Sequence, residues 1–359
     1  MRAAHKILAA AACVAIGAGG LGLVRHQQKA TPAVEVRPAT PALPAIALAE
    51  ADAEKLTKIE LTRPADRDDD RAGDHPGDAA QAAILEITME RSGSGWELTA
   101  PIAGEASGAK VSEAIQNLET LRLWKQLDAG TGYYAQYDLT PDKALHIVAW
   151  RGAAKVVDLF CGKGSTDGQL VRLPDRDGMF ALVNWGPQGY SGFLFTRALH
   201  DWRETSIFNF APERVVGVEL SNATGDLTFA KIDERWRAMR RKPTPEGHLG
   251  RAQPWFGFNA ARIADLLRDY RTLAAEDFGD GVSRADTGVD DAERTGGVMR
   301  ITLEGGAVLT LRVGRPTNGK TRWAMKDSRW AIKEGGDGTV YAVAPWPASW
   351  ATADATKFE

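Results

Sequence analysis

Cysteine is nearly absent, with two in 359 residues. Cys13 lies in an apolar N-terminal stretch and Cys161 stands alone further on, so neither a disulfide framework nor a cysteine-rich metal site is available. Histidine is also scarce. Four of the six, His75, His146, His200 and His248, fall in the globular region, none in HExxH or at paired metal spacing. No GxSxG elbow occurs, so no nucleophile beside a base is legible. No catalytic, cofactor-binding or metal-ligating residue is therefore assigned. Charge of one sign is lacking too. With 44 Lys and Arg against 47 Asp and Glu, net −3, there is no reason to expect nucleic acid as the partner.

What is present begins at the N-terminus. Arg2 and Lys6 precede the uncharged run Ile7–Val24, and Arg25, His26 and Lys29 follow it. A run of that length can just cross a bilayer core, so residues 1–29 are expected to form an uncleaved transmembrane anchor. A cleaved signal peptide is the competing reading, weakened by the lack of a clear cleavage box. A lipoprotein reading through Cys13 lacks the usual leucine three positions earlier. Residues 30–50 turn to Pro and Ala, which favours an extended spacer. The expected location is the inner (cytoplasmic) membrane, crossed once, with the globular part outside the cytoplasm.

Beyond the spacer the chain repeats itself. The stretch from Trp96 to Leu121 reads as a strand, a break at Pro101, and a helix with Val111, Ala114, Ile115, Leu118 and Leu121 on one face. Ile263, Leu266, Leu267, Tyr270 and Leu273 repeat that face 152 positions on. The preceding Trp96 and Trp236 are only 140 apart, so the second copy carries extra residues within RRKPTPEGHLGRAQP, as a surface loop would. Gly162 and Gly314, each ending a strand, return to the 152 spacing. Short alternating runs surround each helix: LTKIEL, AILEITME, ALHIVAW, KVVDLF, QLVRLP and MFALVNW in the first copy. The second answers with VVGVEL, LTFAKI, MRITLE, VLTLRV, TRWAMK, RWAIKE and VYAVA. Trp202–Phe208 and Trp350–Phe358 read as matched closing segments. The fold class expected is α+β, with two tandem modules, residues 51–210 and 211–359. Each is a mainly antiparallel sheet with one packed amphipathic helix, after the N-terminal transmembrane helix.

Two motifs invite chemistry and fail on context. The aspartates between Asp66 and Asp78 suggest a calcium loop, yet an EF-hand started at Asp66 would need Gly and Glu where Arg71 and Gly77 stand. A solvated hairpin loop is the better reading. Gly314–Thr321, GRPTNGKT, satisfies the P-loop pattern, but the following TRWAMKDSRWAIKE alternates like strands rather than opening a helix. No nucleotide is expected there.

The pattern Trp96-x-Leu98-x-x-Pro101, a helix ending near Leu118 and Leu121, Tyr137-x-Leu139 before Pro141, and a strand into Gly162 resembles the bacterial domain-of-unknown-function family 4340. The resemblance covers most of residues 55–210, with a fainter echo to the C-terminus. That family is usually written Tyr-Gly-Leu, whereas this chain has Asp138 between Tyr137 and Leu139; the second module keeps Gly288 before Val289 but lacks the tyrosine. The resemblance implies an N-terminally anchored extracytoplasmic protein, frequently associated with ABC-type transport or gliding-type systems, without established catalytic residues.

Tryptophan is abundant, 11 in all. Trp96, Trp202, Trp236 and Trp350 are assigned to packing, while Trp323, Trp330 and Trp346 are candidates for a partner or ligand surface. Three function classes follow: a noncatalytic accessory or scaffold protein of a membrane complex, a glycan- or ligand-binding module, and a cryptic hydrolase. Exposed indoles in one groove would favour the second, and a buried His-Asp-Ser constellation in a cleft the third. A groove near residues 200–215 is the place expected for a protein partner of the first.

Overall fold

The computed structural model describes residues 42–65, 84–183, 192–245 and 248–359. Residues 1–29, where the anchor is expected, and the aspartate-rich insert at 66–83 lie outside these, as do His75 and Trp185. Among the described residues no helix is long and apolar enough to cross a membrane.

Nine strands build the first sheet: β1 (Lys58–Pro64), β2 (Ile84–Ser92), β3 (Gly95–Ala100), β4 (Gly104–Glu105), β5 (Arg122–Asp128), β6 (Leu145–Arg151), β7 (Ala154–Ser165), β8 (Gly168–Leu173) and β9 (Arg176–Val183). Nine more build the second: β10 (Val215–Asn222), β11 (Gly225–Ile232), β12 (Arg235–Arg241), β13 (Gln253–Trp255), β14 (Asp277–Phe278), β15 (Gly297–Leu303), β16 (Val308–Pro316), β17 (Arg329–Lys333) and β18 (Val340–Val343). The first sheet runs β4-β3-β2-β1-β6-β7-β8-β9-β5 and the second β13-β12-β11-β10-β15-β16-β17-β18-β14, the same order displaced by nine strands. Two sheets of one topology fit the expected repeat.

The register repeats as well. Ile59 of β1 lies between Met89 and Ala149, and Val218 of β10 lies between Phe229 and Ile301. All six side chains are buried, because alternation sends every second residue of a central strand to the helix-covered face. In each module the chain leaves one sheet edge and returns at the other through a helix, α1 (Gly108–Glu119) or α2 (Ala261–Tyr270). Val111, Ala114 and Leu118 of α1 are fully buried, as are Ile263, Leu266 and Tyr270 of α2. These are the faces read from the three- and four-residue spacing. Each module also has a helix before its closing turn, Gly192–Phe195 in the first and the longer α3 (Pro345–Ala351) in the second, where the Pro347 carbonyl accepts the Tyr270 hydroxyl at 2.9 Å. Burial pushes the pKa of that phenol up, so it stays protonated and a donor.

Gly162 and Gly314 hold equivalent places for one reason. A Cβ on Gly162 would overlap the Tyr137 carbonyl oxygen, and one on Gly314 that of Thr287. Each glycine lets the loop before Leu139 or Val289 lie against the sheet. At the turn of that loop Gly288 has φ +70°, and Asp138, its counterpart, has φ +54°. Aspartate tolerates the left-handed region, and Lys163 pairs with Asp138 at 3.2 Å, so the departure in residue type keeps the conformation.

The hairpin reading holds in both copies. Pro64 pairs with Ile84 across the first hairpin, and Asn222 with Gly225 across a two-residue turn in the second. Three expectations change. The amide of Ser107 donates to the Trp202 carbonyl at 2.8 Å, and that of Asn259 to Phe358 at 2.6 Å, so the counterpart of Trp202 is Phe358 rather than Trp350. Trp350 is nonetheless buried, as are Trp96 and Trp202. TRWAMK forms bends, not a strand, for reasons given below. Finally, Ile207 and Phe208, placed in the first module by the expected break at 210, pack into the second core and donate from their amides to the Leu273 carbonyl.

Candidate functional site

The β3–β4 edge of the first sheet and the β17–β18 hairpin of the second flank a cleft of about 850 Å³, with Arg203 and Ser206 of the connecting segment on its wall. That volume is within the range of ligand sites. The groove expected near residues 200–215 thus has a counterpart, one to which both modules contribute.

Arg203 is its most buried charge. The residue follows Trp202 and bridges to Ala106, beside β4, which leaves its side chain pointing toward the second module. Only 5% of it is exposed; its guanidinium lies 3.6 Å from the centre of the Phe278 ring and Nη1 donates to Asp280. Burial strengthens both contacts and makes each costly to lose. Glu97, Glu105 and Asp337 add negative charge, with Lys333 opposite in sign. The Tyr341 hydroxyl is held protonated, chiefly by burial and then by the Asp337 and Glu105 carboxylates. Next to the cleft His200 joins the modules: its Nε2 lies 3.1 Å from the Glu276 carbonyl, and its ring meets Phe278 and Trp323. None of these residues was legible as a site, since a lone arginine or aspartate carries no spacing signal.

The P-loop lookalike resolves clearly. Gly314–Thr321 leads out of β16 into a loop that ends at β17, a strand-to-strand connection. Its amides are taken by carboxylates: Asp277 accepts from Arg322 and Trp323 at 3.0 and 2.9 Å, and Glu276 from Met325 at 3.2 Å and the Ser328 hydroxyl at 2.6 Å. These bonds hold 321–326 in bends, replacing the strand expected there. A P-loop holds phosphate on a helix that opens at its lysine, whereas here the Lys320 amide donates to the Thr317 carbonyl at 3.0 Å in a turn and the chain runs on to β17 with no helix between.

Of the three surface tryptophans expected, the structure keeps two. Trp323 and Trp346 are 47% and 52% exposed, and no ring contact joins them among the described residues. Trp330 is corrected: it is 1% exposed, because it lies on the face of β17 opposite the helix-covered one and is buried there with Val289, Ile332 and Ala342 in a second apolar cluster. Sequence reading missed the exposed Trp124, Tyr133 and Phe256.

Two histidine-carboxylate pairs lie among the described residues, and in the longer one, His200 Nδ1 to Asp201 at 3.4 Å, the other ring nitrogen already meets the Glu276 carbonyl. In the shorter, His146 Nε2 is 2.7 Å from Asp158, and the imidazole stacks on Phe160 at 3.9 Å. Both residues sit on the outer face of the first sheet, away from the cleft lining, and no serine or cysteine hydrogen-bonds to His146 among the described residues. Burial pushes the pKa of the Cys161 thiol well up and keeps it protonated, the opposite of what a nucleophile needs. No group of three or more His, Cys, Asp or Glu side chains among the described residues could hold a metal.

Repeated strand order, repeated register and the paired glycines define a tandem-duplicated α+β protein with a composite cleft. The family described as Domain of unknown function (DUF4340) matches residues 96–295, more than half of the chain, and the chain belongs to that family. The match begins at Trp96 in β3 of the first module and runs to Thr295, two residues short of β15 of the second, so it straddles both. No curated protein and no solved structure matches the chain.

Proposed function

We propose that the protein is a noncatalytic accessory or scaffold subunit of a membrane complex. It is held at the inner membrane by residues 1–29, with both modules outside the cytoplasm, and serves an ABC-type transport system. The observation that carries this reading is the cleft between the modules. Its walls come from two copies of one fold, so a partner there contacts both and senses their arrangement. The acid-bound loop at 317–328 and the isolated His146–Asp158 pair support binding over chemistry. A tether would add effective concentration, making a weak contact sufficient. The transport assignment is the family's implication carried over by analogy.

Photocrosslinkers placed at Thr339 and Glu105, in the full-length protein in its membrane, test the reading. A membrane protein is expected to be captured from both positions, and capture should weaken when residues 1–29 are removed. Recovery of no membrane partner, together with substrate turnover by the protein alone, would overturn it. N-terminal sequencing checks the tether separately; a mature start near Ala30 would remove it.

A second reading, a glycan- or ligand-binding module, is favoured by the exposed indole of Trp323, which sits beside His200 at the module junction. Quenching of tryptophan fluorescence by soluble oligosaccharides, abolished by Trp323→Ala, would put this reading first.

A further inference from the structure

We infer that the outer face of the second sheet at its β12–β13 edge docks on an anionic membrane surface. The inference is independent of the cleft and of residues 1–29. In β12 Ala238 is buried, so alternation turns Arg235, Arg237, Met239 and Arg241 to the outer face. Register sets Ile232 beside Arg235 and Pro254 beside Met239. Phe256, the residue after buried Trp255, is 92% exposed, and Ile232 and Met239 are exposed with it.

Neighbouring acids cancel only part of the charge: Asp233 in the adjoining turn offsets one arginine, and the other acids are already paired. Arg241 is paired with Asp226 at 2.5 Å, and Glu234 in the adjoining turn is paired with Lys231 at 2.8 Å. Arg235 and Arg237 have no ion-pair partner among the described residues. Guanidinium groups interleaved with exposed Ile, Met and Phe are what a lipid surface takes up: phosphates accept from the arginines while the apolar side chains enter the acyl boundary. An acidic protein would satisfy the arginines but gives no reason for so exposed a phenylalanine.

The first module supplies an internal control. Where β12 sets Arg237 opposite Ala230, β3 sets Glu97 opposite Glu90. An anionic surface would repel that face.

The test mixes the full-length chain with preformed vesicles of phosphatidylcholine, alone or with phosphatidylglycerol, and follows flotation and segment-resolved amide hydrogen exchange. Protection of 232–241 and 253–256 is expected only with phosphatidylglycerol, relieved by high salt, with Gly95–Ala100 unchanged. R235Q/R237Q should lower the docking constant read from protection by roughly fivefold per arginine, about thirtyfold together. Because both side chains are exposed, unaltered exchange elsewhere will show that the fold persists. Flotation with both lipids but no protection at this edge would overturn the proposal while leaving an N-terminal anchor intact. Protection in phosphatidylcholine alone, or protection that rises with protein concentration without vesicles, would overturn it in favour of apolar or protein contact.

Discussion

The two modules share strand order, register and a buried helix face, yet their equivalent edges meet different surroundings. In the first, β3 forms a wall of the cleft against the second module and carries Glu97 opposite Glu90. In the second, β12 pairs outward with the three-residue β13, the counterpart of β4, and carries Arg237 opposite Ala230. Inward positions stayed apolar, Trp96 and Leu98 in one and Ala238 in the other, because a polar group there would be buried without a partner. Outward positions carry no such constraint. A duplicated sheet can therefore keep one fold while its two copies present surfaces of opposite sign.

The largest test of the equivalence is at the paired glycines. Gly162→Ala and Gly314→Ala should each destabilise by about 3 kcal/mol in urea unfolding, since the new methyl group overlaps backbone rather than a flexible side chain. Near-equal losses would sharpen the comparison; tolerance at either position would break it. Next comes the junction. Arg203→Met removes the partner of Asp280 and should cost about 2 kcal/mol, less than a fully buried pair because Asp280 is 26% exposed. Hydrogen exchange should rise at 277–280 and 104–106 first, so a uniform rise would show that the pair does not join the modules.

Smaller effects are expected at the left-handed pair. Gly288→Ala should cost about 1 kcal/mol through its φ of +70°, and Asp138→Ala a similar amount in thermal unfolding. If Asp138→Ala is neutral while Gly288→Ala is not, the two loops differ more than their backbones suggest. The smallest effect is at Lys320. Calorimetry with ATP should detect no binding before or after Lys320→Ala, and binding lost on that change would overturn the assignment of this loop.

Much of each module was readable because the relevant signals are local. Val111, Ala114 and Leu118 mark a helix face by spacing alone, and β1 shows its inward side by alternation. The Trp202–Trp350 match misled because residue identity was compared where the backbone bond from Ser107 or Asn259 defines the place. TRWAMK misled because alternation cannot show that Glu276 and Asp277, far away in sequence, compete for its amides. The cleft was expected only as a location, since Arg203, Phe278 and Asp280 meet through the packing of one module on the other.

Periodicity, glycine placement and the double helix signature by themselves determined that this chain makes two similar sheet-and-helix modules, because each signal reports how a short segment divides its residues between inside and outside. Which edge faces a neighbour and which stays open, which tryptophan is covered, and which carboxylate takes an amide or a guanidinium were decided only in the tertiary structure. Those outcomes depend on groups far apart in the chain, 77 residues for Arg203 and Asp280 and 99 for Arg151 and Asp52, and no local pattern encodes such a distance.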